Sequence, residues 1–191
     1  MESISIQKNN LRKEILIRRS EIGYSEWNTK SDAVLTHLFE DPRIRNASRV
    51  HCYISMNERK EVNTHPIIEQ FLMLGKKVFV PITNFKANIL EHCELKDLTK
   101  LKQNKWGVLE PRTANPVENP EVDLILVPLL AVDVEGNRLG YGKGFYDRFL
   151  STNKATKLGL VFHEYVLQAI PAESFDIKLD GFISENGVRY L

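Results

Sequence analysis

Gly136-Asn137-Arg138-Leu139-Gly140-Tyr141-Gly142-Lys143-Gly144-Phe145-Tyr146-Asp147 is the stretch of this chain best equipped for chemistry. Glycines stand at the alternate positions 140, 142 and 144, Lys143 lies between two of them, and Arg138 comes just before. Glycine lets the backbone approach a ligand closely, so N–H groups there can reach phosphate oxygens. Arg138 and Lys143 add full positive charges, and the start of a following helix adds a partial one. Asp147, just inside that helix, is placed to hold a magnesium ion that bridges phosphates. Glycines between a strand and a helix also occur in loops that bind nothing; the lysine and arginine among them are what favours phosphate. The spacing is that of neither the P-loop nor the dinucleotide fingerprint.

The flanking residues say what positions this loop. Val122-Asp123-Leu124-Ile125-Leu126-Val127 reads as a strand buried on both faces. Phe145, Tyr146, Phe149 and Leu150 repeat at helical spacing and predict a helix from Gly144 to Leu150, followed by a strand from Lys157 to Phe162. Upstream, a strand at Val50–Ile54, a helix opened by Thr64 and Pro66 and closed by Gly75, and a strand at Lys77–Pro81 form a βαβ unit, which implies a parallel sheet. In such sheets ligands bind at the carboxyl ends of the strands. Residues 6–22 predict a helix with Ile4, Leu11, Ile15, Leu16 and Ile22 near one face and Lys8, Arg12, Lys13, Arg18 and Arg19 as a basic remainder. A second helix is predicted from a Ser25 cap to Phe39 or Glu40, stopped by Asp41-Pro42. Ile89–Leu95 reads as a strand, Asp97–Leu101 as a turn or short helix, and the C-terminus as a hairpin turning at Asn186-Gly187. The expected architecture is one α/β domain over residues 1–191 with a parallel core.

Composition narrows the function classes. Hydrophobic residues make up 42% and charged residues 27% of the 191, as in an ordinary globular protein. A net charge of +1 gives no general pull toward nucleic acid or membrane. No apolar run is long enough to span a bilayer, and Met1–Ser5 does not read as a signal peptide, so a cytoplasmic location is expected. Cys52 and Cys93 have neither metal nor redox spacing and read as reduced core thiols. His51, His65, His92 and His163 show no metal-ligand spacing.

Arg138-Leu139-Gly140-Tyr141-Gly142-Lys143-Gly144-Phe145-Tyr146-Asp147 resembles the signature of the 5-formyltetrahydrofolate cyclo-ligase (methenyltetrahydrofolate synthetase) family. Weaker matches fall in order along the chain: a basic N-terminal helix, the Val50–Ile54 strand ahead of Glu61, Trp106-Gly107 before Glu110-Pro111, and Asp180. The resemblance implies a three-layer α/β/α sandwich with a mostly parallel, Rossmann-like sheet. It implies an enzyme that uses ATP and Mg2+ to close 5-formyltetrahydrofolate, with or without a polyglutamate tail, into 5,10-methenyltetrahydrofolate with release of ADP and phosphate. It implies no nucleic-acid or membrane partner, and a monomer.

Residue by residue, the resemblance implies catalytic roles for Lys143, Arg138 and Tyr141. ATP contacts would come from Lys8, Arg12, Arg138, Leu139, Gly140, Tyr141, Gly142, Lys143, Gly144, Phe145 and Tyr146. Folate contacts would come from Arg12, Tyr53, Glu61, Tyr141, Gly142, Lys143, Gly144 and Phe145, with Trp106 nearby. Asp147 and Asp180 would hold magnesium. Glu58 stands as an alternative to Glu61 for the pterin. Without the resemblance, Asp180 reads as a turn residue before a strand, and Lys8 and Arg12 as a solvated basic face. Two rival readings remain at this level: an isomerase or coenzyme A transferase on a related sandwich fold, and a nucleotide sensor or RNA binder without turnover.

Overall fold

The run predicted to be buried on both faces is the middle of a seven-stranded sheet. The computed structural model describes residues 2–104, 107–111, 115–117 and 119–191. Its helices are α1 (Ile4–Ser20), α2 (Tyr24–Glu40), α3 (Pro42–Asn46), α4 (His65–Met73) and α5 (Phe145–Ser151). Its first six strands are β1 (Arg49–Cys52), β2 (Lys77–Asn84), β3 (Ile89–Leu95), β4 (Leu101–Gln103), β5 (Leu109–Pro111) and β6 (Leu124–Val127). The rest are β7 (Ala131–Asp133), β8 (Arg138–Leu139), β9 (Thr156–Leu160), β10 (Val166–Leu167), β11 (Gly181–Ser184) and β12 (Gly187–Tyr190).

The main sheet runs β12-β11-β9-β6-β1-β2-β3. Pairs within β11-β9-β6-β1-β2 are parallel, and only the edge strands β12 and β3 pair antiparallel. Both predicted βαβ units are present: β1 and β2 are parallel neighbours across α4, and β6 and β9 are parallel neighbours across α5. Helices cover the sheet on both faces, giving the three-layer α/β/α sandwich. On one face Phe39 of α2 packs on Phe71 of α4, with ring centroids 4.8 Å apart. On the other, Phe149 of α5 packs on His51 and His92 at 4.7 and 4.2 Å.

Local signals misplaced a few boundaries. Ser25 lies inside α2, whose cap is Gly23 without a side-chain bond. Asp41 does more than end α2: its Oδ1 accepts from the N–H groups of Arg43 and Ile44 and starts α3. The short pairs β4–β5 and β7–β8 lie in stretches that carried no strand pattern.

The largest departure is the buried face of α1. Lys8, Ile15 and Arg19 are buried, whereas Ile17 is 62% exposed and Ile4 and Leu16 are exposed as well. Three basic positions, 8, 12 and 19, share the inward stripe with Ile15. Of the predicted apolar face, Leu11, Ile15 and Ile22 do pack on the core; apolar periodicity does not reveal the basic residues beside them because these meet polar partners, carboxylates for Lys8 and backbone carbonyls for Arg12 and Arg19.

Across β1 and β3, His51 and His92 are both buried, with Nε2 of the first 3.1 Å from Nδ1 of the second. Burial lowers His51 well below the ordinary histidine value, helped by His92, and lowers His92 to about 4. Unfolded histidines take up a proton near pH 6.5. The stabilising preference for neutral rings is therefore present above that pH and lost as pH falls toward about 4. Urea midpoints measured at pH 7 and pH 5 should show the loss, and His92→Gln should reduce it. Cys52 and Cys93 are free and buried.

Candidate functional site

A cavity opens where the chain leaves the carboxyl end of β1, and α1 and the glycine loop close over it. Its walls include Lys8 and Arg12 of α1, Tyr53 and Ile54 after β1, Glu61, the loop from Gly140 to Asp147, and Asp176. Of the described residues expected in the site, all but Leu139, Asp180 and the alternative Glu58 line it. Leu139 is fully buried in β8, where its carbonyl accepts from Leu130 N–H.

The loop has the backbone that its glycines predicted. Gly142 has φ +85° and Gly144, the cap of α5, φ +66°. The φ of Gly142 disfavours other residues, and a Cβ there would lie 3.0 Å from Cζ of Arg12 and press on that side chain. Arg12 holds the loop against α1 by donating from Nε to the Gly140 carbonyl at 2.8 Å. Its burial lowers its pKa, and Asp176 and Glu173 oppose that. Arg138 is buried and donates to Oδ1 of Asp147 at 2.6 Å, while its Nε is buried with no partner among the described residues. Lys143 is exposed between its two glycines and has no ionic partner among the described residues.

Glu61 faces this loop from the opposite wall and is 4% exposed. Its Oε1 accepts from the Tyr141 hydroxyl at 2.5 Å and its Oε2 from Met56 N–H at 2.7 Å. Burial raises its pKa; the bonds from Tyr141 and Met56 and the charges of Arg19 and Arg59 oppose the rise. Burial likewise pushes the Tyr141 phenol up, with Glu61 adding to it. Glu58 is exposed in a short 3-10 turn and does not line the cavity, so geometry selects Glu61. Tyr53 lines the cavity and donates weakly to the Val62 carbonyl at 3.4 Å. Phe145 stands edge-on to Phe85 at 5.8 Å. Tyr146 serves both core and cavity: its ring meets His51 and Phe149, and its hydroxyl is buried without a partner among the described residues. Trp106 lies outside the described residues.

The pairing of Asp147 with Asp180 is corrected by the sheet. Asp180 precedes β11, accepts from Lys157 N–H at 2.8 Å, and lies with Asp123 and Thr156 in a separate depression at the amino ends of the strands. The ligand edge of a parallel sheet is the other one. Asp176, not Asp180, lies at the cavity, and the N–H of the next residue, Ile177, points at Oδ1 of Asp147 at 3.4 Å. Oδ2 of Asp176 pairs with Nζ of Lys8 and accepts from Glu173 N–H. Oδ2 of Asp147 and Oδ1 of Asp176 have no partner among the described residues. No group of three or more His, Cys, Asp or Glu there could hold a metal unaided. Magnesium carried on phosphates needs only one or two protein carboxylates, and these residues fit that.

Known proteins match this chain over nearly its whole length. Residues 4–185 match the model of the 5-formyltetrahydrofolate cyclo-ligase family. A 5-formyltetrahydrofolate cyclo-ligase of Haemophilus influenzae is 30% identical over 91% of this chain and 95% of its own length. The mouse 5-formyltetrahydrofolate cyclo-ligase is 27% identical over 96% of each chain. The NMR structure of Aquifex aeolicus 5,10-methenyltetrahydrofolate synthetase superposes with a TM-score of 0.84 at 30% identity, covering 96% of this chain and 92% of that one. With its sheet order, its glycine–lysine loop and a family match over nearly its whole length, the chain belongs to the 5-formyltetrahydrofolate cyclo-ligase family of enzymes.

Proposed function

We propose that this chain uses ATP and magnesium to cyclise 5-formyltetrahydrofolate to 5,10-methenyltetrahydrofolate, releasing ADP and phosphate. The observation that carries the reading is a single cavity with a buried carboxylate, Glu61, on one wall and the glycine–lysine loop on another. Glu61 can accept two hydrogen bonds from the aminopyrimidine edge of a pterin. Loop N–H groups, Lys143 and Arg138 receive the phosphates. Tyr141 reaches from the loop to Glu61 and so ties the two subsites together.

A formamide oxygen is a poor leaving group, which is why the reaction needs a phosphoryl donor. The formyl oxygen attacks the γ-phosphorus and ADP departs. Nitrogen 10 then attacks the formyl carbon and loses its proton, and the C–O bond breaks to release phosphate and leave the cyclic cation. The chain's part is alignment and charge balance: Lys143 as a mobile cation beside the transferring group, Arg138 fixed by Asp147. Asp147 and Asp176 would hold magnesium, which when bound neutralises phosphate charge.

The enzyme works as a monomer in the cytoplasm in this reading. Two buried free thiols suit a reducing compartment, and no helix among the described residues is long and apolar enough to cross a membrane. Incubation with ATP, magnesium and 5-formyltetrahydrofolate tests the reaction. Methenyl absorbance and ADP should rise in equal amounts; ADP without methenyl product, or neither, overturns it.

A further inference from the structure

Each carboxylate that would hold magnesium is already paired with a cation of the chain. Asp147 holds Arg138 at 2.6 Å, and Asp176 holds the ammonium of Lys8. Both cations line the same cavity as the glycine loop. The two pairs differ in one respect. Arg138 has no second carboxylate partner among the described residues, whereas Nζ of Lys8 also reaches Oε2 of Glu173 at 3.1 Å. Lys8 is 5% exposed and both acids are partly buried, so water screens this cluster only in part.

The segment that carries the two acids is closed on itself. Glu173 N–H donates to Oδ2 of Asp176 at 2.7 Å, and Asp176 N–H donates to the Glu173 carbonyl at 3.0 Å. It presents two carboxylates to the one ammonium of Lys8, and of the two acids only Asp176 is a wall residue. A magnesium ion arriving without nucleotide meets Asp176 with Lys8 already on it. Two cations on one carboxylate repel where water is scarce, and taking the acid away from Lys8 weakens a buried pair. Phosphate oxygens change that balance. A lysine is a point charge on a flexible stem, so its ammonium can turn toward phosphate while Glu173 keeps hold of it. Asp176 is then left to the metal that the phosphates carry.

We propose that Lys8 holds Asp176 until a nucleotide draws its ammonium away, so that magnesium enters only with phosphates, and that Glu173 is a positioning residue that keeps the ammonium at the cavity during the exchange. The inference rests on the assignment of Asp176 to the metal made above. Glu173 touches neither substrate nor metal and acts through Lys8.

The probe is Mn2+ on the full chain, because it can stand in for magnesium and broadens NMR signals close to it. In the wild type, Mn2+ alone should leave the amide signal of Ile177 sharp, and Mn2+ with a non-hydrolysable ATP analogue should broaden it. Broadening by Mn2+ alone overturns the proposal, and this readout needs no variant to fold. Lys8→Gln keeps an amide donor for both acids but removes the charge. Without nucleotide it should bind Mn2+ roughly tenfold more tightly than wild type, read from the electron paramagnetic resonance of free Mn2+. Adding Asp176→Asn to that variant should cancel the gain, and Lys8→Arg should bind as weakly as wild type. No gain in Lys8→Gln, or an equal gain in Lys8→Arg, overturns the proposal. Glu173→Gln leaves Lys8 with Asp176 as its one carboxylate, so the magnesium concentration for half-maximal rate should rise several-fold. A lower melting temperature with that concentration unmoved removes the role of Glu173. Asp176→Asn separates the two claims. If it raises the magnesium requirement while Lys8→Gln gains nothing, only the exchange falls; if the requirement is unmoved and Ile177 stays sharp with the analogue, Asp176 leaves the metal site and the exchange goes with it.

Discussion

Lys143→Ala is expected to lower kcat by about 10²–10³-fold while leaving the melting temperature unchanged. The size follows from removing one positive charge from beside a transition state that spreads negative charge over phosphoryl oxygens. The stability forecast follows from exposure: the side chain has no ionic partner among the described residues, so truncating it opens no cavity and orphans no buried group. The loop itself stays in place, because Arg12 holds the Gly140 carbonyl and Arg148 holds the Lys143 carbonyl at 3.2 Å. Single-turnover formation of ADP with 5-formyltetrahydrofolate bound is the measurement. A rate within a few-fold of wild type would take Lys143 out of phosphoryl transfer and leave the loop as a connection between strand and helix.

The second large effect is a contrast among three aspartates. Asp147→Asn and Asp176→Asn should each raise the magnesium concentration for half-maximal rate, by on the order of tenfold or more. Asp180→Asn should leave that titration where it is. Asparagine at 147 still offers an oxygen to Arg138, and loss of charge at 176 still leaves Lys8 paired with Glu173 at 3.1 Å, so both variants should fold. At Asp180 the cost is structural instead: its carboxylate accepts from Lys157 N–H at the start of β9, and a lower melting temperature is the expected sign. If Asp180→Asn shifts the magnesium requirement and Asp176→Asn does not, the placement of the metal at the carboxyl edge of the sheet is wrong.

The comparison of Asp176 and Asp180 also shows how far the sequence could be read. Both are single acids in one short segment before the C-terminal hairpin, and nothing local separates them. What separates them is the pairing of β11 beside β9, which puts one at the amino edge of the sheet and leaves the other with Lys8 at the cavity. The same limit applied to α1. Counting apolar residues at helical spacing predicts a greasy inner face, but the partners that make a basic face buriable lie far away: Asp176 is 168 residues from Lys8, and Leu129 is 110 from Arg19. Local sequence likewise does not separate Glu61 from Glu58; the fold turns only the Glu61 carboxylate into the cavity.

By itself the sequence determined the two βαβ units, the C-terminal hairpin and the glycine–lysine loop at the end of a buried strand. Periodicity, caps and glycine conformation act over a few neighbouring residues, so they are legible wherever they occur. Only the tertiary structure decided which charges are buried together, because pairing a charge from α1 with a carboxylate or carbonyl depends on distances set by the whole sheet. That is how Arg12 came to clamp the loop, Asp176 rather than Asp180 to lie at the cavity, and Arg19 to reach the Leu129 and Leu130 carbonyls.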